Sequence, residues 1–123
     1  MAHRRHFQLS SGQLYGRDIV FHVNSRFRVS LIDSAELDRT GYAQDFTTVP
    51  LQTTEPLCLP NGAELTVEGA VCVPIKFRGQ HYKQVFMVLN GLGRATEPNP
   101  IKALIGSDLL RLPHLRDYPL DWD

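Results

Sequence analysis

The sequence predicts an all-β protein, a small closed barrel with a single short helix near its C-terminal end. Two observations predict this class: apolar and β-branched runs recur in pairs about short polar connections, and only one segment carries helix signals. The chain has 123 residues, of which 42% are hydrophobic and 21% charged. That composition is typical of one globular domain. We expect an N-terminal tail over residues 1–12 and the folded domain over residues 13–123.

The predicted strands form three hairpins. They cover residues 19–32, 59–67 and 71–89. Their polar connections are Asn24-Ser25-Arg26, Asn61-Gly62 and Arg78-Gly79-Gln80. Asn-Gly is the strongest two-residue hairpin signal, because both residues tolerate a positive φ.

The predicted helix lies at Ser107–Leu112. Ser107 or Asp108 can cap its first turn, and Pro113 ends it. Residues 91–100 are rich in Gly and Pro and are predicted to form a surface loop.

Charge and cysteine content limit the possible functions. Thirteen basic residues balance thirteen acidic ones, so no net field recruits nucleic acid or a membrane surface. Cys58 and Cys72 each lie between apolar residues, which favours buried free thiols over a disulfide or zinc site. We expect no metal or other cofactor, and an intracellular (cytoplasmic) protein, on its own or within a larger polyprotein.

An internal repeat relates the two halves of the chain. Residues 30–37 (SLIDSAEL) resemble residues 103–110 (ALIGSDLL): apolar residues, then Asp or Gly, then Ser. Each copy follows a predicted hairpin. The repeat indicates a fold with an internal two-fold relationship.

The motifs together resemble the retropepsin family, the aspartic peptidases of retroviruses and LTR retrotransposons and their domesticated relatives. The resemblance rests on Leu31-Ile32-Asp33-Ser34, the Asn61-Gly62 hairpin and Ala103-Leu104-Ile105-Gly106-Ser107-Asp108, and covers residues 14–112. It implies a closed β-barrel of the retropepsin type with a flap hairpin. Because one chain carries one such motif, it also implies a homodimer whose site lies on the two-fold axis.

The resemblance also implies roles for individual residues. Amide hydrolysis without a metal takes two carboxylates that share one proton, one acting as base and one as acid. Asp33 would supply one carboxylate from each protomer, with Ser34 bracing the two loops and Ala35 following. The flap would carry Asn61, Gly62 and Ala63 over an extended peptide or polyprotein segment. Ile105, Gly106 and Asp108 would form the structural motif before the helix.

One departure from the family pattern leaves the function open. The Gly that follows Asp-Thr/Ser in the family is absent, so either Ala35 replaces it or it is deleted. We expect a catalytically impaired domain kept for dimerisation or peptide binding; the alternative is an active aspartic endopeptidase. A third interpretation is an unrelated small β-barrel, in which Asp33 is a turn residue satisfied by local N–H groups.

Overall fold

The computed structural model describes residues 8–42, 45–51 and 56–112, which form nine strands and three short helices. The strands are β1 (Gln8–Leu14), β2 (Arg17–Val23), β3 (Ser30–Asp33), β4 (Thr47–Val49), β5 (Leu57–Cys58), β6 (Glu64–Leu65), β7 (Val67–Phe77), β8 (Gln80–Leu89) and β9 (Ala103–Ile105). The helices are α1 (Ser34–Arg39), α2 (Leu92–Ala95) and α3 (Ser107–Leu110).

Six strands close into a barrel in the order β1-β2-β9-β3-β8-β7, because β1 also pairs with β7. β4 adds to the edge of β7, and β5 and β6 form a separate hairpin. Alternate residues of β2, Ile19, Phe21 and Val23, are buried in the barrel core, as expected for a strand with one face inward. The closed barrel confirms the predicted fold class.

The predicted hairpin over residues 71–89 is confirmed as β7 and β8, which pair in antiparallel register from Val67 to Gln80. Its turn is Arg78-Gly79, with φ values of 51° and 80°. Two successive positive φ values match the right-handed twist of the flanking strands.

The predicted hairpin over residues 19–32 is wrong. β2 pairs with β1 through the turn at Tyr15-Gly16, and β3 pairs with β8 and β9 instead of β2. The connection between β2 and β3, residues 24–29, crosses from one strand of the barrel to another, with β9 between them. We call it the 24–29 loop.

Two of the three helices were not predicted. α1 begins directly after Asp33, and α2 lies within residues 91–100, where Leu92 is fully buried. Leu92 packs in an apolar cluster with Ala95 and Ile101, and the Gly93 N–H donates to Asp33, so tertiary contacts hold a segment whose Gly and Pro content predicts only a loop. α3 begins at Ser107, as predicted, but it ends at Leu110 instead of Leu112. Its N-cap is Gly106, so neither Ser107 nor Asp108 provides the predicted cap.

Further boundaries also differ from the sequence predictions. β1 begins at Gln8, so the barrel includes residues 8–12 of the predicted tail. Cys58 and Cys72 are free, but Cys58 is exposed because β5 lies in the separate two-stranded hairpin; Cys72 is half-buried. Within the described residues, no helix is long and apolar enough to cross a membrane.

Candidate functional site

A cleft of about 420 Å³ lies between the β5–β6 hairpin and the barrel. Its lining residues are His22, Asn24, Arg26, Phe27, Leu31, Leu59, Pro60, Asn61, Leu92, Thr96, Asn99, Ile101 and Leu104. Seven of these residues are apolar and six are polar, so the cleft offers both apolar surface and hydrogen-bonding groups to a ligand. None of these lining residues is an Asp or a Glu.

The 24–29 loop presents Asn24 and Arg26 to this cleft. The Asn24 N–H donates to the Ile105 carbonyl at 3.0 Å, which continues the parallel pairing of β2 with β9. The Asn24 side-chain oxygen accepts from the Arg26 N–H at 3.0 Å, and the Asn24 carbonyl accepts from the Phe27 N–H at 3.2 Å. This Asx-turn is a conformation that Asn forms readily, and it fixes the loop immediately after the strand.

Gly106 packs directly against the same loop. A Cβ at Gly106 would lie 2.4 Å from the Val29 carbonyl oxygen and 2.7 Å from that of Phe27. The Ser107 N–H donates to the Phe27 carbonyl at 2.7 Å. The Gly of the Ile105-Gly106-Ser107-Asp108 motif is therefore needed because the 24–29 loop approaches its backbone closely.

A polar network lies beneath this contact. The Ser30 hydroxyl donates to Asp108 at 2.9 Å and accepts from the Gly106 N–H at 3.0 Å. The Gln84 amide, only 6% exposed, donates to the other Asp108 carboxylate oxygen at 2.8 Å. Satisfied buried networks of this kind fix one arrangement of the strands they join. Here the network holds β3, β8 and the start of α3 together.

The internal repeat corresponds to a structural repeat. β3 followed by α1 matches β9 followed by α3, and the two strands pair antiparallel. β2 pairs parallel with β9, and β3 pairs parallel with β8. The repeat therefore equates Asp33 with Gly106, and it equates the 24–29 loop with the segment that connects β8 to β9.

Asp33 lies apart from the cleft lining. One carboxylate oxygen accepts from the Ala35 N–H at 3.1 Å and caps α1, and the other accepts from the Gly93 N–H at 2.8 Å. Ser34 and Ala35 form the first turn of α1. The structure therefore does not bring Asp33, Ser34 or Ala35 together with the residues of the β5–β6 hairpin that line the cleft.

The β5–β6 hairpin contains Asn61-Gly62 at its turn, as predicted, but its strands are Leu57–Cys58 and Glu64–Leu65 instead of covering residues 59–67, and Val67 begins β7. Gly62 has a φ of 90°, and its N–H donates to the Leu59 carbonyl at 2.9 Å. The Asn61 side chain accepts from the Ala63 N–H and donates to the Ala95 carbonyl at 2.8 Å, joining the tip to α2. Leu59 is 5% exposed and packs in an apolar cluster with leucines of the barrel and α2.

His22 lies on β2 at the edge of the cleft. It is half-buried, and burial lowers the pKa of its imidazole below the ordinary value of 6.5, because desolvation disfavours the charged form. Burial therefore favours the neutral form of this imidazole at the edge of the cleft.

Asn24 and Arg26 line the cleft, although the sequence pattern predicts only a hairpin turn at Asn24-Ser25-Arg26. These residues directly follow the apolar strand β2, as the Asp-Thr/Ser-Gly motif of the retropepsin family follows an apolar strand. A polar residue followed by Ser directly after an apolar strand is the signal in the sequence that indicates this position.

Solved structures with the same fold are retroviral protease-like proteins. The chain is similar to the retroviral protease-like domain of Ddi1 from Leishmania major, with a TM-score of 0.60 and 14% identity over 88% of this chain and 78% of that one. It is also similar to EIAV protease solved with the inhibitor HBY-793, with a TM-score of 0.61 and 16% identity over 85% and 86% of the two chains. A retropepsin-like aspartic protease from Rickettsia conorii gives a TM-score of 0.55 and 15% identity over 85% and 78%.

No protein-family model and no curated protein matches the sequence. The structural similarity confirms the predicted retropepsin-like fold, and the chain is a protease-like domain in its architecture.

Proposed function

We propose that this retropepsin-like domain binds extended peptides as a homodimer without cleaving them. Asn24-Ser25-Arg26 would occupy the position of the family's catalytic Asp-Thr/Ser-Gly. The observation that carries the proposal is the lining of the cleft, which contains Asn24 and no carboxylate.

Three features support assigning this position to the 24–29 loop. The loop follows an apolar strand, it faces the Asn61 hairpin across the cleft, and it packs against Gly106 of the Gly-x-Asp motif. Asp33 meets only the first of these conditions, and both of its carboxylate oxygens accept backbone N–H groups. Such a carboxylate is engaged as a helix cap.

The chemistry of Asn24 accounts for the absence of catalysis. A carboxamide has nearly the shape of a carboxylate, but at neutral pH it neither accepts the proton of an attacking water nor shares one with a second group. Two Asn24 side chains on a two-fold axis would provide hydrogen bonds to a peptide without a general base. Arg26 replaces the family's Gly and adds a long cationic side chain.

The proposed dimer follows from the same assignment. Each chain contributes one 24–29 loop, so a site on the axis needs a second copy. Ser25 is exposed at the apex of the loop, where it can contact its symmetry mate. The β5–β6 hairpin would close over the bound peptide as a flap, held near the cleft by Leu59 and Asn61.

The test is to restore the missing groups. Wild-type protein and the double variant Asn24→Asp/Arg26→Gly are incubated with a fluorogenic peptide library between pH 4 and 7. We expect no cleavage by the wild type and measurable cleavage by the variant in mildly acidic solution, because a restored carboxylate pair titrates as a unit. Adding Asp33→Asn to the double variant should leave its cleavage activity unchanged.

The opposite result is equally definite. Peptide cleavage by the wild type that is lost in Asp33→Asn and kept in Asn24→Ala would contradict the proposal. It would favour the active endopeptidase with paired Asp33 carboxylates.

A further inference from the structure

We infer that the cleft selects extended peptides that carry an acidic side chain at a central position, and that Arg26 recognises this carboxylate. The inference rests on the proposed peptide-binding function and specifies its ligand class.

Arg26 is the charged group of the cleft. Its side chain is exposed, and its guanidinium forms no ion pair with any residue in the described parts of the chain. Its backbone N–H is held by Asn24 at 3.0 Å, so the loop that carries it has a fixed conformation. A guanidinium on a fixed loop can bind a carboxylate through two parallel hydrogen bonds.

The rest of the lining neither neutralises nor duplicates this charge. Asn24, Asn61, Thr96 and Asn99 are neutral, and burial favours the neutral form of His22. The active dyad of the family carries negative charge, which would repel an acidic peptide residue. With Asn24 and Arg26 in place of Asp and Gly, the charge of the site changes from negative to positive, and a homodimer carries two copies of this change.

The shape of the site indicates an internal residue of a peptide. The apolar side chains that line the cleft with Arg26 suit apolar neighbours of the acidic residue; they include Phe27, Leu31, Leu59, Leu92, Ile101 and Leu104. The cleft shares His22 and Asn99 with an adjoining open groove of about 830 Å³ on the outer face of β1 and β2. A bound chain can therefore continue past the cleft.

The groove adds no net charge that would compete with Arg26, because the negative charge of Asp18 offsets the positive charge of Lys102 in its lining. The acidic preference should therefore depend on Arg26.

The experiment begins with a phage-displayed library of random internal dodecapeptides selected on the wild-type protein. A selection whose best binders carry no central acidic residue would overturn the inference; otherwise the best binder is synthesised, acetylated and amidated, with that acidic residue present or replaced by the matching amide. Fluorescence anisotropy gives both dissociation constants for the wild type, Arg26→Gln and Arg28→Gln. Arg28 is a matched control, because it is exposed two residues away and does not line the cleft.

We expect the acidic peptide to bind wild type about fivefold more tightly than its amide, which corresponds to about 1 kcal/mol. Arg26→Gln should abolish this preference, and Arg28→Gln should keep it. Equal binding of both peptides to the wild type would overturn the inference and leave the peptide-binding function intact. Failure of every selected peptide to bind would overturn both. A library with free C-termini is selected in parallel; binders from that library alone would show that a terminal carboxylate is recognised, contrary to the inference.

Discussion

Substituting Gly106 by Ala tests how closely the 24–29 loop packs against the end of β9. Gly106 has a φ of −100° and a ψ of −173°, values that Ala also adopts, so the substitution carries no backbone penalty. Its cost is steric, because the new methyl would lie 2.4 Å from the Val29 carbonyl oxygen and 2.7 Å from that of Phe27.

The neighbouring atoms are backbone, so the loop itself must move. Overpacking of this kind costs about 1–3 kcal/mol, and weakening of the hydrogen bond from Ser107 to Phe27 adds about 1 kcal/mol. We therefore expect a loss of about 3 kcal/mol in the free energy of unfolding. For a domain of this length that lowers Tm by roughly 12 °C.

Urea unfolding followed by circular dichroism measures this loss. Gly69→Ala is the matched control, since a Cβ there meets nothing within 4 Å and no positive φ is required; its stability should stay within about 0.5 kcal/mol of wild type. A Gly106→Ala protein as stable as Gly69→Ala would refute the close packing of loop and strand, and with it the support that Gly106 gives to the site assignment.

Two further predictions concern side chains near the site. Asp33→Ala should destabilise the fold by about 2 kcal/mol in urea unfolding, because a helix cap and a second charge-assisted hydrogen bond are lost. Peptide affinity should not change. Lost peptide affinity at unchanged stability would contradict the capping role. Burial lowers the pKa of His22 below 6.5, so the unfolded chain binds the proton more readily and stability should fall as pH drops below that value. His22→Gln should flatten this pH dependence, and an unchanged slope would contradict the assignment to His22.

Local patterns in the sequence were sufficient for much of the fold. Alternating apolar residues about Arg78-Gly79 specify the β7–β8 hairpin, and Ser107 marks the start of α3. The short β5–β6 hairpin follows from Asn61-Gly62, whose Gly supplies the positive φ of the turn. These signals act over a few residues, so they are visible without tertiary structure.

The position of the site depends on long-range pairing that no local pattern specifies. Asn24 reaches the cleft because β2 pairs parallel with β9, about eighty residues later in the chain. In the sequence, an Asp-Ser pair after an apolar strand makes Asp33 the candidate catalytic residue. The position of β3 between β8 and β9 shows that Ser34 begins a helix, α1, which corresponds to α3 in the other copy of the repeat.

Disulfide trapping tests whether the two 24–29 loops meet on the axis of a homodimer. Ser25→Cys and Ser34→Cys are each introduced into a Cys58→Ser/Cys72→Ala background, because both native cysteines are free. A disulfide requires Cα atoms within about 7 Å of each other, so only the residue near the axis can link two copies.

Non-reducing gel electrophoresis after mild oxidation at micromolar protein gives the answer. We expect a covalent dimer for Ser25→Cys and a monomer band for Ser34→Cys. Efficient linkage through Ser34→Cys, with none through Ser25→Cys, would contradict the proposed dimer and would place Asp33 near the two-fold axis instead.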